Sequence, residues 1–212
     1  MNRKPSLLIF AGPNGSGKST VTSLFKIVGD YTNADDIVKS SGMSNLEAAQ
    51  YVESIRLKAL QEKEDLTFET VLSADRYVEF IKKAHELGYF IKVVFVLTSD
   101  SSMNVFRVRA RVNNGGHDVP ADKIKSRYIK SLTNLSRIIP YCDIVHVYDN
   151  SDTACRIFRK HKDEPIKIIP NKYWSRNDIE RLISGSYDFV HKNDYLVKEQ
   201  VTDNLPEIDD LW

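Results

Sequence analysis

Cysteine is scarce in this sequence: Cys142 and Cys155 are the only two in 212 residues. Two thiols in a chain of this length build no disulfide framework, which excludes the small, stapled, secreted class. Cys142 leads into an apolar run and reads as a buried thiol. Excess charge of either sign is missing as well. The 30 Lys and Arg against 29 Asp and Glu leave a formal net charge of +1, so no global field announces nucleic acid or an anionic membrane. Long apolar runs are absent. The stretch after Met1-Asn2-Arg3-Lys4-Pro5 is too short for a signal-peptide core or a membrane span, and no later stretch approaches membrane length. A reducing cytoplasm is the expected location. There are no internal repeats and no low-complexity tract.

What is present suits one domain with a sizeable core: 42% hydrophobic and 28% charged residues. Short continuous apolar runs, such as Leu7-Leu8-Ile9-Phe10 and Val93-Val94-Phe95-Val96-Leu97, read as strands buried on both faces. Longer stretches with helical spacing lie between them. Leu46, Ala49, Val52, Ile55 and Ala59 form one stripe. Tyr77, Phe80, Ala84 and Leu87 form another, with Ser73 placed to cap that helix and Gly88 to end it. The alternation predicts an α/β fold with a mainly parallel central sheet. Strands are expected near 6–11, approaching Asn33-Ala34-Asp35, at 66–69, 90–98 and 143–148. A hairpin is expected over 154–160 and 165–169. Helices are expected from Lys18 (with Val21, Leu24, Phe25 and Val28 on its apolar side) and over 45–62, 74–87, 101–112, 121–138 and 176–184.

Gly12-Pro13-Asn14-Gly15-Ser16-Gly17-Lys18-Ser19 fits G-x-x-x-x-G-K-[ST] in full, and Thr20 follows. Glycines let the backbone wrap an anion with its N–H groups inward. Lys18 supplies a point charge for the β- and γ-phosphates, and the Ser19 hydroxyl can hold Mg²⁺. A chance match in a chain this long is on the order of one in a hundred. The alternative is a glycine-rich turn with no ligand. The segment from Gly12 to Thr20 is therefore the expected ATP site, with Mg²⁺ as its companion, and the α/β fold is expected to be the three-layer sandwich of the P-loop NTPases, with its mainly parallel central sheet.

Phosphoryl transfer needs positioning, charge neutralisation and an acceptor hydroxyl relieved of its proton. Ligands of open parallel sheets lie beyond the carboxyl ends of the strands. Asp35 and Asp36 follow one strand there, and Glu69 and Thr70 close another. Asp35 is the expected general base, with Glu69 and Thr70 binding the acceptor. A structural cap or ion pair is the alternative for Asp35 and Glu69, and a solvated helix cap for Asp36. A standard Walker-B aspartate is not obvious, since Asp100 comes slightly late after Val96-Leu97-Thr98-Ser99.

Arg107 and Arg111 are four apart and share a helical face beside Val105, Val108 and Val112. Such a pair makes a phosphate clamp, while Arg109 projects towards solvent. Gly115-Gly116 breaks the helix, and Arg127 borders the apolar stripe of the next one. From 107 to 137 there are eight Lys or Arg and two Asp. A solvated basic helix pair is the alternative reading. A nucleic-acid patch is a third, poorly supported because few aromatics interleave. His117 either bonds a substrate oxygen or fixes its own loop.

These residues resemble the zeta-toxin-like kinases. The likeness is carried by Gly12 to Thr20, Asn33-Ala34-Asp35-Asp36-Ile37, Phe68-Glu69-Thr70, the stretch from Arg111 through Gly115-Gly116-His117-Asp118-Val119-Pro120 to Arg127-Tyr128 and Ser131-Leu132, and Tyr148-Asp149-Asn150-Ser151. They occur in family order and span roughly residues 5–170. The resemblance is to a shorter branch carrying Gly-Gly-His before Val-Pro. Ser126 stands where that branch usually has a second arginine beside Arg127. The resemblance implies an ATP- and Mg²⁺-dependent kinase acting on a small-molecule hydroxyl. The best-known members phosphorylate the sugar of UDP-N-acetylglucosamine, and some are the toxin of a toxin–antitoxin pair. It also implies that Lys18 contacts the phosphates, Asp35 is the base, Glu69 binds the acceptor, and Arg111 and Arg127 neutralise the transferring group.

Two rivals remain: a non-catalytic ATP-sensing interaction module, and a polynucleotide or tRNA kinase, which the near-neutral charge disfavours. The expected kinase domain covers 1–184. From 185 to 212 an acidic, aromatic tail follows, with seven Asp and Glu against Lys192 and Lys198. It is expected to dock onto something, with simple fraying as the alternative.

Overall fold

The computed structural model of the protein describes residues 3–113, 115–116 and 118–187, and for Asp35, Lys39 and Asn45 the backbone only. His117 and the tail from residue 188 onward lie outside the described residues. Strands β1 (Ser6–Ala11), β2 (Asp30–Thr32), β3 (Leu66–Thr70), β4 (Phe90–Leu97), β5 (Ile144–Asp149), β6 (Cys155–His161) and β7 (Lys167–Ile168) form one sheet in the order β2-β3-β1-β4-β5-β6-β7. The first five are parallel to their neighbours, and β6 and β7 add an antiparallel edge. The helices are α1 (Lys18–Thr22), α2 (Ala34–Ser41), α3 (Asn45–Glu62), α4 (Asp75–Glu86), α5 (Ser101–Asn113), α6 (Ala121–Ile138) and α7 (Arg176–Ser184). This is the α/β P-loop sandwich expected from the alternating pattern and the phosphate-loop motif together.

The central strands are buried on both faces because parallel crossovers put chain on each side. Leu7, Ile9 and Ala11 of β1, with Phe68, Val93, Phe95 and Val147, join a core built from α3, α4, α6 and α7. Each large side chain buried there stabilises the fold by about 1.5–3 kcal/mol. The opposite face carries Leu8, Phe10, Val94, Val96 and Tyr148 under Val21, Phe25 and Val28. Phe25 sits edge-on to Phe10 and Tyr148, at 6.1 and 6.3 Å between ring centres. Cys142 is a buried thiol, pushed above its ordinary range by burial, and neither it nor Cys155 is in a disulfide.

Several local expectations need correcting. The helix from Lys18 stops at Thr22, leaving Leu24 69% exposed. Its residues Ser19, Thr20, Val21, Thr22 and Ser23 are weak helix formers, and Ser23 Oγ bonds back to the Thr20 carbonyl at 2.9 Å. After β2 the chain enters α2, an element the periodicity did not reveal. Ser73 does not cap α4: Ala74 is the N-cap and makes no side-chain bond. Gly88 does end that helix, at φ +82°. On α3 the buried stripe is Ala48, Val52, Ala59 and Leu60, with Arg56 among them, while Leu46 is exposed. A capping box between Ser44 and Glu47 starts α3. β1 is the point where strand order reverses. The carboxyl ends of β1, β2, β3, β4 and β5 therefore bring Gly12, Asn33, Thr70, Thr98 and Asn150 to one edge of the sheet.

Candidate active site

The loop after β1 turns back on itself through backbone bonds. Gly12 N donates to Thr70 O at 3.2 Å, and Ser16 N to Pro13 O at 3.2 Å. Glycine is required at position 12 by both torsion and space. Its φ is +145°, and a Cβ there would lie 2.0 Å from the Val96 carbonyl oxygen. Two asparagines fasten the loop from outside. Asn104 of α5 donates to Asn14 O at 2.6 Å, and Asn150 after β5 donates to Ser16 O at 2.9 Å. Asn104 is itself held by the Thr98 hydroxyl. Lys18 is 9% exposed, and its Nζ donates to Gly12 O at 2.9 Å and Pro13 O at 3.2 Å. Ser16 Oγ and Asn14 Oδ1 are buried without a hydrogen-bond partner among the described residues. A buried hydroxyl without a partner, two residues from a buried ammonium in a glycine-rich loop, fits an anionic ligand. Ser19 and Thr20 are exposed at the start of α1.

Across from Lys18 stands Glu69, its Oε1 3.9 Å from Lys18 Nζ. Tyr31 donates to the other carboxylate oxygen at 3.5 Å. Burial, with the Glu69 charge adding to it, pushes the Tyr31 phenol up to about 12. Glu69 and Lys18 both line a cavity of about 200 Å³ that also takes in Asn33, Arg56, Tyr77 and Arg111. Thr70 lines it too, but its Oγ1 accepts from Leu72 N at 3.0 Å and its carbonyl takes the Gly12 amide. Leu72 is fully buried at φ +57°, a left-handed conformation that costs a bulky residue about 1–3 kcal/mol. Ser131 and Asn134 of α6 hold this turn by donating to the Val71 and Leu72 carbonyls at 2.6 and 3.0 Å.

Asp35 is the second residue of α2, next in the chain to the cavity residues Asn33 and Ala34. Asp36, next to it, is exposed. Arg111 reaches the cavity from the end of α5, and Gly116 N closes the following turn on the Arg111 carbonyl at 3.0 Å. Arg107 does not join it as a clamp. Its guanidinium is bidentate to the Asn150 and Ser151 carbonyls at 2.8 and 3.1 Å and so ties α5 to the end of β5. Helical spacing put the two on one face, but these acceptor carbonyls are nearer to only one of them. Arg127 is half-buried on α6 and is not among the cavity residues, and Arg109 is exposed. Asp100 accepts the Ser102 amide at the start of α5. Asp149 is buried and accepts from Ser151 N at 3.0 Å and Asn171 Nδ2 at 2.9 Å. No group of three His, Cys, Asp or Glu poised for a metal occurs among the described residues. None of the described helices is long and apolar enough to cross a membrane.

The sequence profile described as Zeta toxin matches residues 29–162. The chain belongs to the zeta toxin family. The match takes in Asp35, Glu69, Arg111 and Arg127, and it begins after the phosphate loop, whose reading rests on its own residues and geometry. Among curated proteins, this zeta toxin family chain is 25% identical to an uncharacterised protein of Haemophilus influenzae strain Rd. That alignment spans 127 residues, 57% of this chain and 91% of the relative. Among solved structures, the AvrRxo1-ORF1:AvrRxo1-ORF2 complex with ATP superposes with a TM-score of 0.65 at 13% identity, over 88% of this chain and 66% of the matched one. The same complex with sulphate ions gives 0.64 at 11% identity, over 88% and 66%. The PezAT toxin–antitoxin system of Streptococcus pneumoniae gives 0.54 at 14% identity, over 91% and 83%. The chain thus spans just under two thirds of the AvrRxo1 chain it matches, and at these identities the likeness is one of fold.

Sequence reasoning missed Asn104, Arg56, Arg76 and Tyr77, and it noted Asn150 without a role. Arg56 alone left a trace: a charged residue one helical turn from Val52 and three residues from Ala59, on the face that should be apolar.

Proposed function

We propose that the protein is an ATP-dependent kinase that transfers the γ-phosphate to a hydroxyl of a small molecule. The observation that carries this reading is the 3.9 Å approach of Lys18 and Glu69 within one cavity. A phosphate-binding cation and a hydroxyl-binding carboxylate face each other where donor and acceptor must meet. The cradle from Gly12 to Thr20 fits the phosphates of ATP, and the AvrRxo1-ORF1:AvrRxo1-ORF2 complex, which shares the fold, has been solved with ATP. The Ser19 hydroxyl is the side chain of this loop that would hold magnesium, which would supply charge neutralisation when bound.

In the transfer, Glu69 orients the acceptor hydroxyl, with Thr70 beside it, and Asp35 accepts its proton. The acceptor oxygen bonds to the γ-phosphorus as the bond to the β,γ-bridging oxygen breaks, and ADP leaves. Lys18 and Arg111 offset the charge on the phosphoryl oxygens, and Arg127 joins them if the segment between α5 and α6 closes over the site. Arg107 supports this from behind by fixing α5 to β5. The family supports a nucleotide sugar such as UDP-N-acetylglucosamine as acceptor, and a role as toxin. PezAT, a toxin–antitoxin system of the same fold, supports an antitoxin as partner.

Phosphorus NMR of ATP consumption, run against nucleotide sugars, sugars and nucleotides, tests the proposal. One acceptor should support turnover. Lys18→Ala should reduce that turnover by roughly 10³-fold or more, and Asp35→Asn by roughly 10²–10⁴-fold with ATP affinity kept. Wild-type protein that binds ATP yet phosphorylates nothing would favour the ATP-sensing module instead.

A further inference from the structure

The face of the sheet that carries Leu8, Phe10, Val94, Val96 and Tyr148 has an apolar cover of Val21, Phe25, Val28 and Ala154. Towards β6 and β7 its character changes. Residues paired across a ladder share a face. Lys92 pairs with Ile144, Ile144 with His161, His146 with Arg159, Tyr148 with Arg156, and Arg159 with Lys167. Lys92, His146, Arg156, Arg159, His161 and Lys167 therefore stand on the side of Tyr148. We propose that this basic sheet face is the docking surface for the chain's own acidic segment from 188 to 212.

Lys92, Arg156, Arg159 and His161 are half-buried there, Lys167 is exposed, and His146 is buried. The His146 and His161 rings stack at 5.2 Å, with Nε2 atoms 2.9 Å apart. His146 Nδ1 is buried with no hydrogen-bond partner among the described residues, and a ring N–H at that atom can donate to a carboxylate. Burial first, then the charges of Arg156, Lys92, His161 and Arg159, push the His146 ring down. Glu164, at the turn between β6 and β7, acts on His161 in the opposite sense, yet the net direction of that ring is also down. Like charges gathered on one sheet face repel, and an anionic cover relieves the repulsion. The patch also has an apolar rim. Lys92 Nζ lies 5.2 Å over the Phe25 ring, and Leu24 and Ile27, on either side of Phe25 in the chain, are both exposed.

The segment from 188 to 212 is complementary on both counts. Its seven Asp and Glu, against Lys192 and Lys198, are interleaved with Phe189, Tyr195, Leu205, Ile208, Leu211 and Trp212. It also departs from the right place. Tyr187, the last described residue, packs on Trp174 with ring centres 5.4 Å apart. Trp174 N donates to Asn171 Oδ1 at 2.8 Å, and Asn171 Nδ2 donates to Asp149 Oδ2 at 2.9 Å and to Cys155 Sγ at 3.1 Å. The described chain thus ends near the turn that joins β5 to β6, and Arg156 is the residue after Cys155. Extended, the 25 residues from 188 to 212 span up to about 80 Å, against about 20 Å for the length of β6. The rival seat is the outer side of α6, with Lys123, Lys125 and Lys130. Those lysines are exposed, and a solvated charge gains less from an anion than a half-buried one.

The test is carbodiimide cross-linking of the full chain, read by mass spectrometry, because the reagent joins a carboxylate to a lysine only where the two touch. Acids of 188–212 should couple to Lys92 and Lys167 within one chain, whatever the protein concentration. The yield should fall at least roughly fivefold in about 1 M salt, where the screening length is about 3 Å. Arg156→Gln combined with Arg159→Gln should lower it by a similar factor. Where that double variant fails to fold, a second one leaves every described residue untouched: the full chain with the seven acids of 188–212 changed to Asn or Gln. Trypsin should cut this variant after Lys192 and Lys198 at least roughly fivefold faster than the wild type. Cross-links confined to Lys123, Lys125 or Lys130, or formed only between two chains, seat the segment elsewhere and overturn the docking. Coupling to Lys92 and Lys167 that ignores salt overturns its electrostatic basis. Equal cleavage of wild type and neutralised variant shows a segment that frays, and overturns it as well.

Discussion

One wall of the cavity is the phosphate loop, made of backbone and fastened by Asn104, Asn150 and a glycine that no other residue can replace. The other wall is made of side chains that converge from β3, α3 and α4: Glu69, Arg56, Arg76 and Tyr77. The first depends on the chain's own torsions over eight consecutive residues. The second exists only when three elements pack. A site can thus have one half that tolerates little change in shape and another half that can be retuned one side chain at a time. On the proposed kinase reading, donor binding would be the fixed half and acceptor choice the adjustable one.

The sharpest break comes from putting a methyl group into the backbone-built wall. Gly12→Ala meets the Val96 carbonyl at 2.0 Å, an atom of the central sheet that cannot move aside cheaply. It should cost at least about 2 kcal/mol of stability, read in a denaturant melt, and abolish ATP binding. Gly42→Ala is the control. Its φ of +70° is also left-handed, but no atom lies within 4 Å, so only the torsional cost of about 1–2 kcal/mol applies and ATP binding should be untouched. Equal losses in the two would show that space at Gly12 is unimportant. Next, Glu69→Gln should raise the acceptor KM and lower kcat/KM by about 10²-fold while ATP affinity stays within a factor of two or so. A larger effect on ATP than on acceptor would erase the division between walls. Asn150→Ala removes the bond to Ser16 O, made at 2.9 Å, and should weaken ATP binding by about tenfold with little change in acceptor KM.

The smallest effect is expected far from both walls. His146 is buried against the His161 ring, with Nε2 atoms 2.9 Å apart, and faces Lys92, Arg156 and Arg159. Burial first, then these cations, push it from 6.5 down to about 3. Between those values the unfolded chain binds a proton that the folded chain refuses. Stability contributed by neutral His146 is therefore complete above pH 6.5 and is lost as the pH falls through that window. The slope is at most about 1.4 kcal/mol per pH unit. Melts of His146→Gln across this range should show a flatter acid limb with unchanged ATP affinity. An unchanged limb would assign the acid sensitivity elsewhere.

The helix over Ala121–Ile138 was legible to the residue because its apolar stripe is regular and Pro120 precedes it. The strands over Ser6–Ala11 and Phe90–Leu97 were legible because continuous apolar runs leave few other choices. The helix after Lys18 was overextended, since Leu24 and Phe25 keep an apolar spacing that the turn at Ser23 interrupts. α2 was hidden because its eight residues pack mainly on α3 rather than on the sheet. In the site, the cradle and Glu69 could be named in advance. Arg107 drew a wrong pairing because helical spacing says which residues share a face, not what that face meets. Asn104 and Tyr77 gave no signal, since an asparagine and a tyrosine in amphipathic helices look ordinary until their partners are placed.

By itself the sequence determined the parallel sheet, the phosphate-loop motif and the acid Glu69 at the end of β3. Each is written in contiguous residues whose torsions and burial are local properties. Only the tertiary structure decided that Lys18 faces Glu69, that Arg107 spends its donors on the two carbonyls just past β5, and that Arg56 is buried over Phe68. Those facts depend on which atoms lie opposite across distances of many residues, and no spacing along one chain segment encodes them.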